Sequence, residues 1–396
     1  MVDAPQVRYV ALDWLRYFAV LMVCLNHAST TLLRLPIPLF GPAVYVEPAR
    51  AGIAFLFLSS GFMLHLRYAE TLVWGQAGVG GLARFAARRV WILLPPVVLL
   101  LAIDLAAGPN NPDTYRGPAA VALPAFLSLT QTWTYHWLGN ASAVFPFDSS
   151  NLAWLASDLF FLSLVYLALR PIVGGFGARS AWGAVAAVLA VHAALLVWFR
   201  DHASDVARFG ADHFGPRASA AQSPADFTFA WWLTFYSPYV RLFEFVAGMC
   251  VAQACRRKVG RPELRRVAAV LAGSAIALVG VVALWASAAL TTRSYDLLCL
   301  GLLLAGWGVG ARAARPGLWA TLPLSAYILW LWHLPWFNAY RLPDLATVTA
   351  RDVWFIGARF AIMVSFVILT SHGLWWLQRR SEPDWLRPLG RNGDVP

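Results

Sequence analysis

Arg16 and His27 are ionisable residues that lie, together with Asp13, in an otherwise apolar segment near the N-terminus, ALDWLRYFAVLMVCLNHAS. In an α-helix their eleven-residue separation is about 20° more than three full turns, so both side chains lie on one face, with a rise of roughly 16 Å between them. Histidine is suited to take a proton from a hydroxyl group near neutral pH, and arginine is suited to hold phosphate. The spacing predicts phosphate binding at one end of this helix and a general base at the other. The alternative is that both residues only pack against neighbouring helices.

Other ionisable residues also interrupt apolar segments, where charge is costly and each such residue is a candidate functional group. Asp13 lies three residues before Arg16, which is close enough to pair with it, and a catalytic role for Asp13 is equally compatible. Arg241 and Glu244 have the same spacing, so a structural ion pair and a contact with substrate both fit. His333 lies just before a proline and either lines a cavity or caps carbonyl groups that lose their helical donors.

The remaining polar residues of the apolar segments indicate packing more than chemistry. Ser60 and Gly61 form a small pair that permits close helix approach, and Ser60 acting as a nucleophile is the weaker alternative. His192 and His372 belong to no motif and are interpreted as packing residues. The four cysteines have no metal-ligand spacing. The sequence therefore predicts no metal site.

The composition indicates the kind of protein that positions these residues. Of 396 residues, 59% are hydrophobic and only 13% are charged, with a mean hydropathy of +0.59. Soluble domains carry about a quarter charged residues, so this chain lacks a soluble surface. Its twenty tryptophans suit many membrane interfaces. The net charge of +11 comes from arginines scattered between apolar segments, which argues against nucleic-acid binding. The first apolar segment is expected to remain as a span, because no signal-peptide cleavage site follows it.

Ten apolar segments are long enough to cross a bilayer, which needs about 20 residues each. They lie near 9–32, 50–67, 90–107, 151–170, 180–199, 229–254, 266–290, 294–313, 319–340 and 353–377. Region 119–138 is an eleventh candidate, but its second half is polar. If it does not span, 19 basic residues fall on the cytoplasmic side and nine on the other. If it spans, the densest basic loop, 256–266, moves outside, against the positive-inside rule.

We therefore predict an all-α, polytopic transmembrane bundle of about ten helices around a polar cavity, with both termini cytoplasmic. The chain is expected to form a single membrane-embedded domain over 1–396, with its core at 9–378 and a short cytoplasmic tail at 379–396. The surrounding partners are membrane lipids, at the cell membrane.

The opening segment LDWLRYFAVLMVCLNHA resembles the first-helix motif of the acyltransferase-3 family, integral-membrane acyltransferases that modify sugars and other cell-surface or secreted molecules. In that family an arginine, ten residues and an essential histidine occupy the first helix, which match Arg16 and His27. Five more segments resemble family motifs in the family order. They are FLFLSSGFML (55–64), RFAARRVWILLPP (84–96), NLAWLASDLFF (151–161), RLFEFVAGM (241–249) and LSAYILWLWHLPW (324–336).

Two positions depart from the family pattern. The family often has a second arginine three residues after its basic pair, and Ile92 stands there in this chain. Arg84, four residues before Arg88, is a candidate to replace it on the same helical face. The family's acidic segment often reads Glu-Glu-Gln, whereas this chain has only Asp158.

The resemblance implies acyl transfer from a cytoplasmic acyl-CoA, acetyl-CoA by default, to a hydroxyl group of a carbohydrate or a related cell-envelope or secreted acceptor. His27 is expected to be the general base. Further candidates for catalysis are Asp13 and Asp158, candidates for holding the CoA phosphates are Arg16, Arg84, Arg88 and Arg89, and candidates for contacting the acceptor are Arg241, Glu244, His333 and Ser60.

The alternative is a multi-span transporter or flippase, in which Asp13, Arg16, Arg241 and Glu244 form a path for substrate or protons. Transporter folds often have paired repeats and broken helices at matching positions, and neither is visible in the sequence. A non-catalytic membrane scaffold does not explain buried charge in several spans.

Overall fold

The structure, a computed structural model, describes residues 7–28, 42–72, 78–106, 119–135, 150–215, 218, 228–256, 262–286, 295–310, 312–313, 318–339 and 350–386. These residues are almost entirely helical. The longer helices are α1 (Val10–His27), α2 (Pro42–Tyr68), α3 (Gly78–Ala106), α4 (Ala119–Leu127), α5 (Trp154–Gly174), α6 (Ala178–Asp201), α7 (Ala203–Phe214), α8 (Pro238–Arg256), α9 (Pro262–Ala286), α10 (Asp296–Gly308), α11 (Ala326–Ala339) and α12 (Ala350–Arg380).

Short helical turns precede or follow several of these helices. They are Ser150–Ala153, Phe229–Trp231, Trp232–Tyr236, Leu318–Thr321, Leu322–Ser325 and Asp384–Leu386. Two short strands, β1 (Val7–Arg8) and β2 (Arg312–Ala313), form one antiparallel pair in which Val7 lies opposite Ala313. This pairing joins the start of α1 to the chain that leads into α11.

Seven helices in the described part of the chain are long and apolar enough to cross a membrane, namely those at Val10–His27, Val46–Tyr68, Gly78–Ile103, Trp154–Gly174, Ala178–Asp201, Arg266–Leu284 and Trp354–Arg380. Helices also occupy the other three predicted spans. Of these, α10 has 13 residues and α11 has 14, each short of a full bilayer crossing, and α8 carries several charges. The all-helical class is confirmed, while the count of ten spans and the polar cavity stay predictions.

Region 119–138 contains a short helix within its described residues. Helix α4 has nine residues and is therefore about 14 Å long, roughly half of the hydrocarbon thickness of a bilayer. The chain then turns at Leu129, which has a positive φ of 57°. Residues 130–133 follow as turns that lie against α5. Helix α4 is thus too short to span by itself.

Helix α2 lies at the centre of the bundle and packs against α1, α8 and α10. Its spanning segment is 72% buried, whereas that of α9 is only 11% buried and lies at the periphery. The contact between α2 and α8 is a backbone-to-backbone approach at Gly61 and Gly248. A methyl group at Gly61 would clash with the carbonyl oxygen of Phe245, and one at Gly248 with that of Leu58. Small residues are what allow helices to come this close.

Candidate functional site

His27 and His333 meet at the C-terminal end of α1. His27 is the last residue of α1, and His333 is a fully buried residue of α11. The Nδ1 atom of His27 lies 2.8 Å from the Nε2 atom of His333. The ring centroids are 5.1 Å apart and the ring planes differ by 18°, so the two imidazoles meet edge to edge and the bond lies near both ring planes.

The second nitrogen of His333 fixes the direction of this bond. Its Nδ1 atom lies 3.0 Å from the carbonyl oxygen of Leu329, one turn earlier in α11. A carbonyl can only accept, so Nδ1 of His333 carries a proton, and the neutral ring then accepts at Nε2. His27 must therefore donate from Nδ1, which places the lone pair of its neutral ring on Nε2. This assignment follows from the hydrogen-bond network and gives His27 the tautomer that a general base requires.

The opposite end of α1 lies in a cluster of arginines. Arg16 and Arg89 are close enough to interact electrostatically with one another and with Arg67, and Arg88 interacts with Arg67 and Arg89. The Nε atoms of Arg16 and Arg89 are buried without a hydrogen-bond partner among the described residues, and so are Nε and Nη1 of Arg88. We call Arg16, Arg67, Arg88 and Arg89 the arginine cluster. Like charges with unfilled donors form a site for an anion with several oxygen atoms.

A carboxylate from the C-terminal end of the described chain lies at the edge of this cluster. Oε1 of Glu382 is 3.3 Å from Nε of Arg88, an ion pair whose geometry does not make a hydrogen bond, and Oε2 accepts from Arg379 at 2.8 Å. The Glu382 side chain is only 4% exposed. A charged group from the protein itself therefore partly neutralises Arg88.

Arg84 lies outside the cluster. It is exposed and sits one helical turn before the buried Arg88. Arg84 is therefore not placed with the buried arginines that are expected to hold phosphate. That it replaces the family's second arginine stays a prediction.

Asp13 lies with arginines and far from the histidine pair. Its carboxylate accepts from Arg8 at 2.6 Å, across the start of α1, instead of pairing with Arg16 as the spacing suggests. Arg16 is still close enough to Asp13 to interact electrostatically with its carboxylate. Asp13 precedes His27 by fourteen residues of one helix, a rise of about 21 Å, so the two cannot share a proton. A joint catalytic role for Asp13 with His27 is therefore not supported.

Asp158 is fully buried in the first turns of α5. Thr132, in the turns after α4, donates to its Oδ1 atom at 2.6 Å, while Oδ2 has no hydrogen-bond partner among the described residues. The turns are fixed by further bonds, including Trp232 Nε1 to the Thr132 carbonyl at 3.1 Å. Asp158 thus fastens the turns after α4 to α5, and its catalytic role stays a prediction.

Arg241 and Glu244 form the ion pair that their spacing allows, with Nη1 and Oε1 3.0 Å apart. Arg241 also donates from Nε to the Phe235 carbonyl at 3.0 Å, and its guanidinium lies over the rings of Phe57 and Phe235. Every one of these partners belongs to the protein. Arg241 and Glu244 therefore form a structural ion pair, and contact of either residue with the acceptor stays a prediction.

Ser60 lies beside the glycine at which α2 and α8 touch, in agreement with the interpretation of this pair as a site of close helix approach. Its expected contact with acceptor is not tested by this position.

His192 was interpreted from the sequence as a packing residue, but it makes a specific polar contact. Its Nδ1 atom lies 2.9 Å from Oδ2 of Asp296 at the start of α10, and both residues are buried. A lone histidine in an apolar helix and an aspartate at a helix N-terminus each look ordinary in a sequence. They are 104 positions apart in the sequence, so no local pattern indicates that they meet.

The structure therefore brings together two sets of predicted residues, His27 with His333 and Arg16 with Arg88 and Arg89, at opposite ends of α1. Comparisons with family models, with curated protein sequences and with solved structures find no significant match.

Proposed function

We propose that this protein is a membrane-embedded acyltransferase. It moves an acyl group, acetyl by default, from cytoplasmic acyl-CoA to a hydroxyl group of a carbohydrate or a related cell-envelope or secreted acceptor. The donor and acceptor classes rest on the family resemblance of the sequence motifs. The observation that carries the proposal is the hydrogen bond from His27 Nδ1 to His333 Nε2, because it gives His27 the tautomer of a general base.

The reaction follows from this tautomer. Nε2 of His27 takes the proton of the acceptor hydroxyl as the hydroxyl oxygen attacks the thioester carbonyl carbon. The His27 imidazolium then donates from Nδ1 to His333 through a charge-assisted bond, which is stronger than the neutral one. The C–S bond of the tetrahedral intermediate breaks, and the leaving thiolate of CoA takes up the proton. The products are the ester and free CoA, and His27 returns to its neutral form.

The arginine cluster is the proposed site for the donor's phosphates. Arg16, Arg88 and Arg89 have buried nitrogens without a hydrogen-bond partner among the described residues, and a CoA molecule presents several phosphate oxygens to such donors. The rise of roughly 16 Å between Arg16 and His27 is the distance that the thioester arm of CoA would have to reach along α1.

Placement in the cell membrane with both termini cytoplasmic is part of the same proposal. It is supported by the seven apolar helices and by the excess of basic residues on the predicted inner side. The Arg16 end of α1 then faces the cytoplasm, where acyl-CoA is found, and His27 lies toward the other side.

The test is binding of acetyl-CoA to purified protein, followed by turnover. Arg88→Ala removes a charge-assisted phosphate contact of about 1.5–3 kcal/mol and should weaken binding roughly 10- to 150-fold. His27→Ala should bind acetyl-CoA as the wild type does and fail to transfer or hydrolyse the acyl group.

Two exposed residues of α7 supply matched controls. Arg208→Ala and His213→Ala remove the same side-chain types outside the proposed site, so both should behave as wild type. Wild-type protein that binds no acyl-CoA of any chain length would overturn the proposal and leave transport as the better hypothesis. Full turnover by His27→Ala would overturn the mechanism alone.

A further inference from the structure

We propose that His192, Glu244 and Asp296 form a binding site for a divalent metal ion of the Zn²⁺ or Mn²⁺ type. The three residues come from three helices, α6, α8 and α10. Each offers one ligand atom, and these atoms all lie within 4.8 Å of one another. All three residues are buried, with relative exposures of 3%, 3% and 6%.

Two buried atoms of this group lack a partner in the described part of the chain. The His192–Asp296 contact uses Nδ1 and Oδ2, and Arg241 donates to Oε1 of Glu244. Nε2 of His192 and Oε2 of Glu244 remain without a hydrogen-bond partner. Buried polar atoms without partners are destabilising, and an ion held by Nδ1 of His192, the nitrogen that faces Asp296, would give a partner to Oε2 of Glu244 but not to Nε2 of His192.

The donor set suits a transition-metal ion. One imidazole nitrogen and two carboxylates are common ligands of Zn²⁺ and Mn²⁺. Zinc lies at about 2.0–2.2 Å from such atoms, so two ligands of a tetrahedral site are about 3.4 Å apart. The ligand atoms here lie within 4.8 Å of one another, so the most distant pair would have to approach by up to about 1.4 Å through side-chain rotations when the ion binds.

The surrounding charges also favour a divalent cation. Glu244 and Asp296 are carboxylates beside the guanidinium of Arg241, and Asp158 is near enough to both Arg241 and Glu244 to interact electrostatically. These residues supply three carboxyl groups and one guanidinium. A divalent ion would compensate the negative charge that the carboxylates carry when they are ionised, which is costly where charge is buried. Arg241 then serves as the outer partner that holds a ligating carboxylate in place.

The three ligands do not include His27, His333 or the arginine cluster, so the site does not depend on the acyltransferase proposal, although Glu244 is also a candidate contact for the acceptor. The ion would fasten α6 and α10 to α8. The sequence predicts no metal site, because the three ligands lie on distant helices, without the short spacings that mark metal motifs.

The experiment measures metal content directly. Full-length protein carrying a purification tag without histidines is stripped with a chelator, incubated with Zn²⁺ alone or Mn²⁺ alone, and desalted. We expect about one ion per chain in the wild type for at least one of the two metals, with a higher unfolding temperature than in the stripped protein. His192→Gln and Asp296→Asn should retain less than about one tenth of that metal and lose the temperature shift.

His372→Gln is the matched control, since it removes a histidine from α12, outside the cluster, and should bind as the wild type does. If His192→Gln does not fold, Asp296→Asn and the temperature shift of the wild type still decide the question. Wild-type protein that retains neither metal, or equal metal content in the wild type and Asp296→Asn, would overturn the proposal. The cluster would then be an ion network balanced by a protonated His192.

Discussion

Replacing His333 by leucine removes the acceptor for the His27 Nδ1 proton and keeps an apolar side chain in a fully buried position. The bond is neutral in the resting protein and becomes charge-assisted when His27 takes the acceptor proton. A neutral bond contributes about 0.5–1.5 kcal/mol and a charged one about 1.5–3 kcal/mol, so the transition state gains about 1–1.5 kcal/mol more. That difference is about tenfold in rate.

Without this bond the His27 ring can turn and can hold its proton on either nitrogen. This loss of orientation should lower the rate by a further, comparable factor. We therefore expect kcat to fall 10- to 100-fold in His333→Leu. The KM for acetyl-CoA should change little, because the arginine cluster is roughly 16 Å away along α1.

The assay is steady-state acyl transfer, or thioester hydrolysis while the acceptor is unknown, compared among three variants. In His333→Gln the amide oxygen can occupy the position of Nε2 and still accept from His27, so its loss should stay below about tenfold. The double variant of His27→Ala with His333→Leu should be no slower than His27→Ala alone, since both act through one base. Normal kcat in His333→Leu, or equal losses in His333→Leu and His333→Gln, would refute the orienting role.

Further predictions concern the donor site and the central helix contact. Glu382→Gln should tighten acetyl-CoA binding about 3- to 10-fold by removing a carboxylate that competes for Arg88, as measured by calorimetric titration; unchanged or weaker binding would contradict this. Gly61→Ala should destabilise the protein by at least about 2 kcal/mol in thermal or denaturant unfolding, because its methyl group meets the backbone of α8. Gly357→Ala, where the same methyl group meets no atom, is its control and should be neutral or stabilising by up to about 1 kcal/mol. Equal effects of the two alanines would disprove the close contact.

Sequence reasoning predicted well those features that depend on one segment at a time. The predicted span 266–290 corresponds to α9 at Pro262–Ala286, and 353–377 to α12 at Ala350–Arg380, because an apolar run of that length has few alternatives to a helix. The shared face of Arg16 and His27 is likewise a property of a single helix. Where helices are short or polar, as in α10, segment hydropathy overestimated their length.

Contacts between distant segments could not be predicted from the sequence. The partner of His27 is 306 residues away, and that of His192 is 104 residues away. The spacing allows Asp13 either to pair with its helical neighbour Arg16 or to act in catalysis, yet its carboxylate binds Arg8, which precedes the helix. A single sequence shows the helical period of its polar residues. It does not show how the helices pack, and the packing decides which of several nearby charges form a pair.

The short pairing of β1 with β2 gives a common starting point to the two chain segments that lead to the histidine pair. Arg8 lies opposite Arg312, and from these two positions the chain runs 19 residues to His27 and 21 residues to His333. From this strand pair the chain leads to His27, the last residue of α1, and to His333, in the middle of α11. An alanine inserted into α1 would turn His27 by about 100° and advance it by about 1.5 Å, which separates the imidazoles although no side chain at the site has changed. The number of residues between the strand pair and each histidine is therefore as important to the site as the histidines themselves.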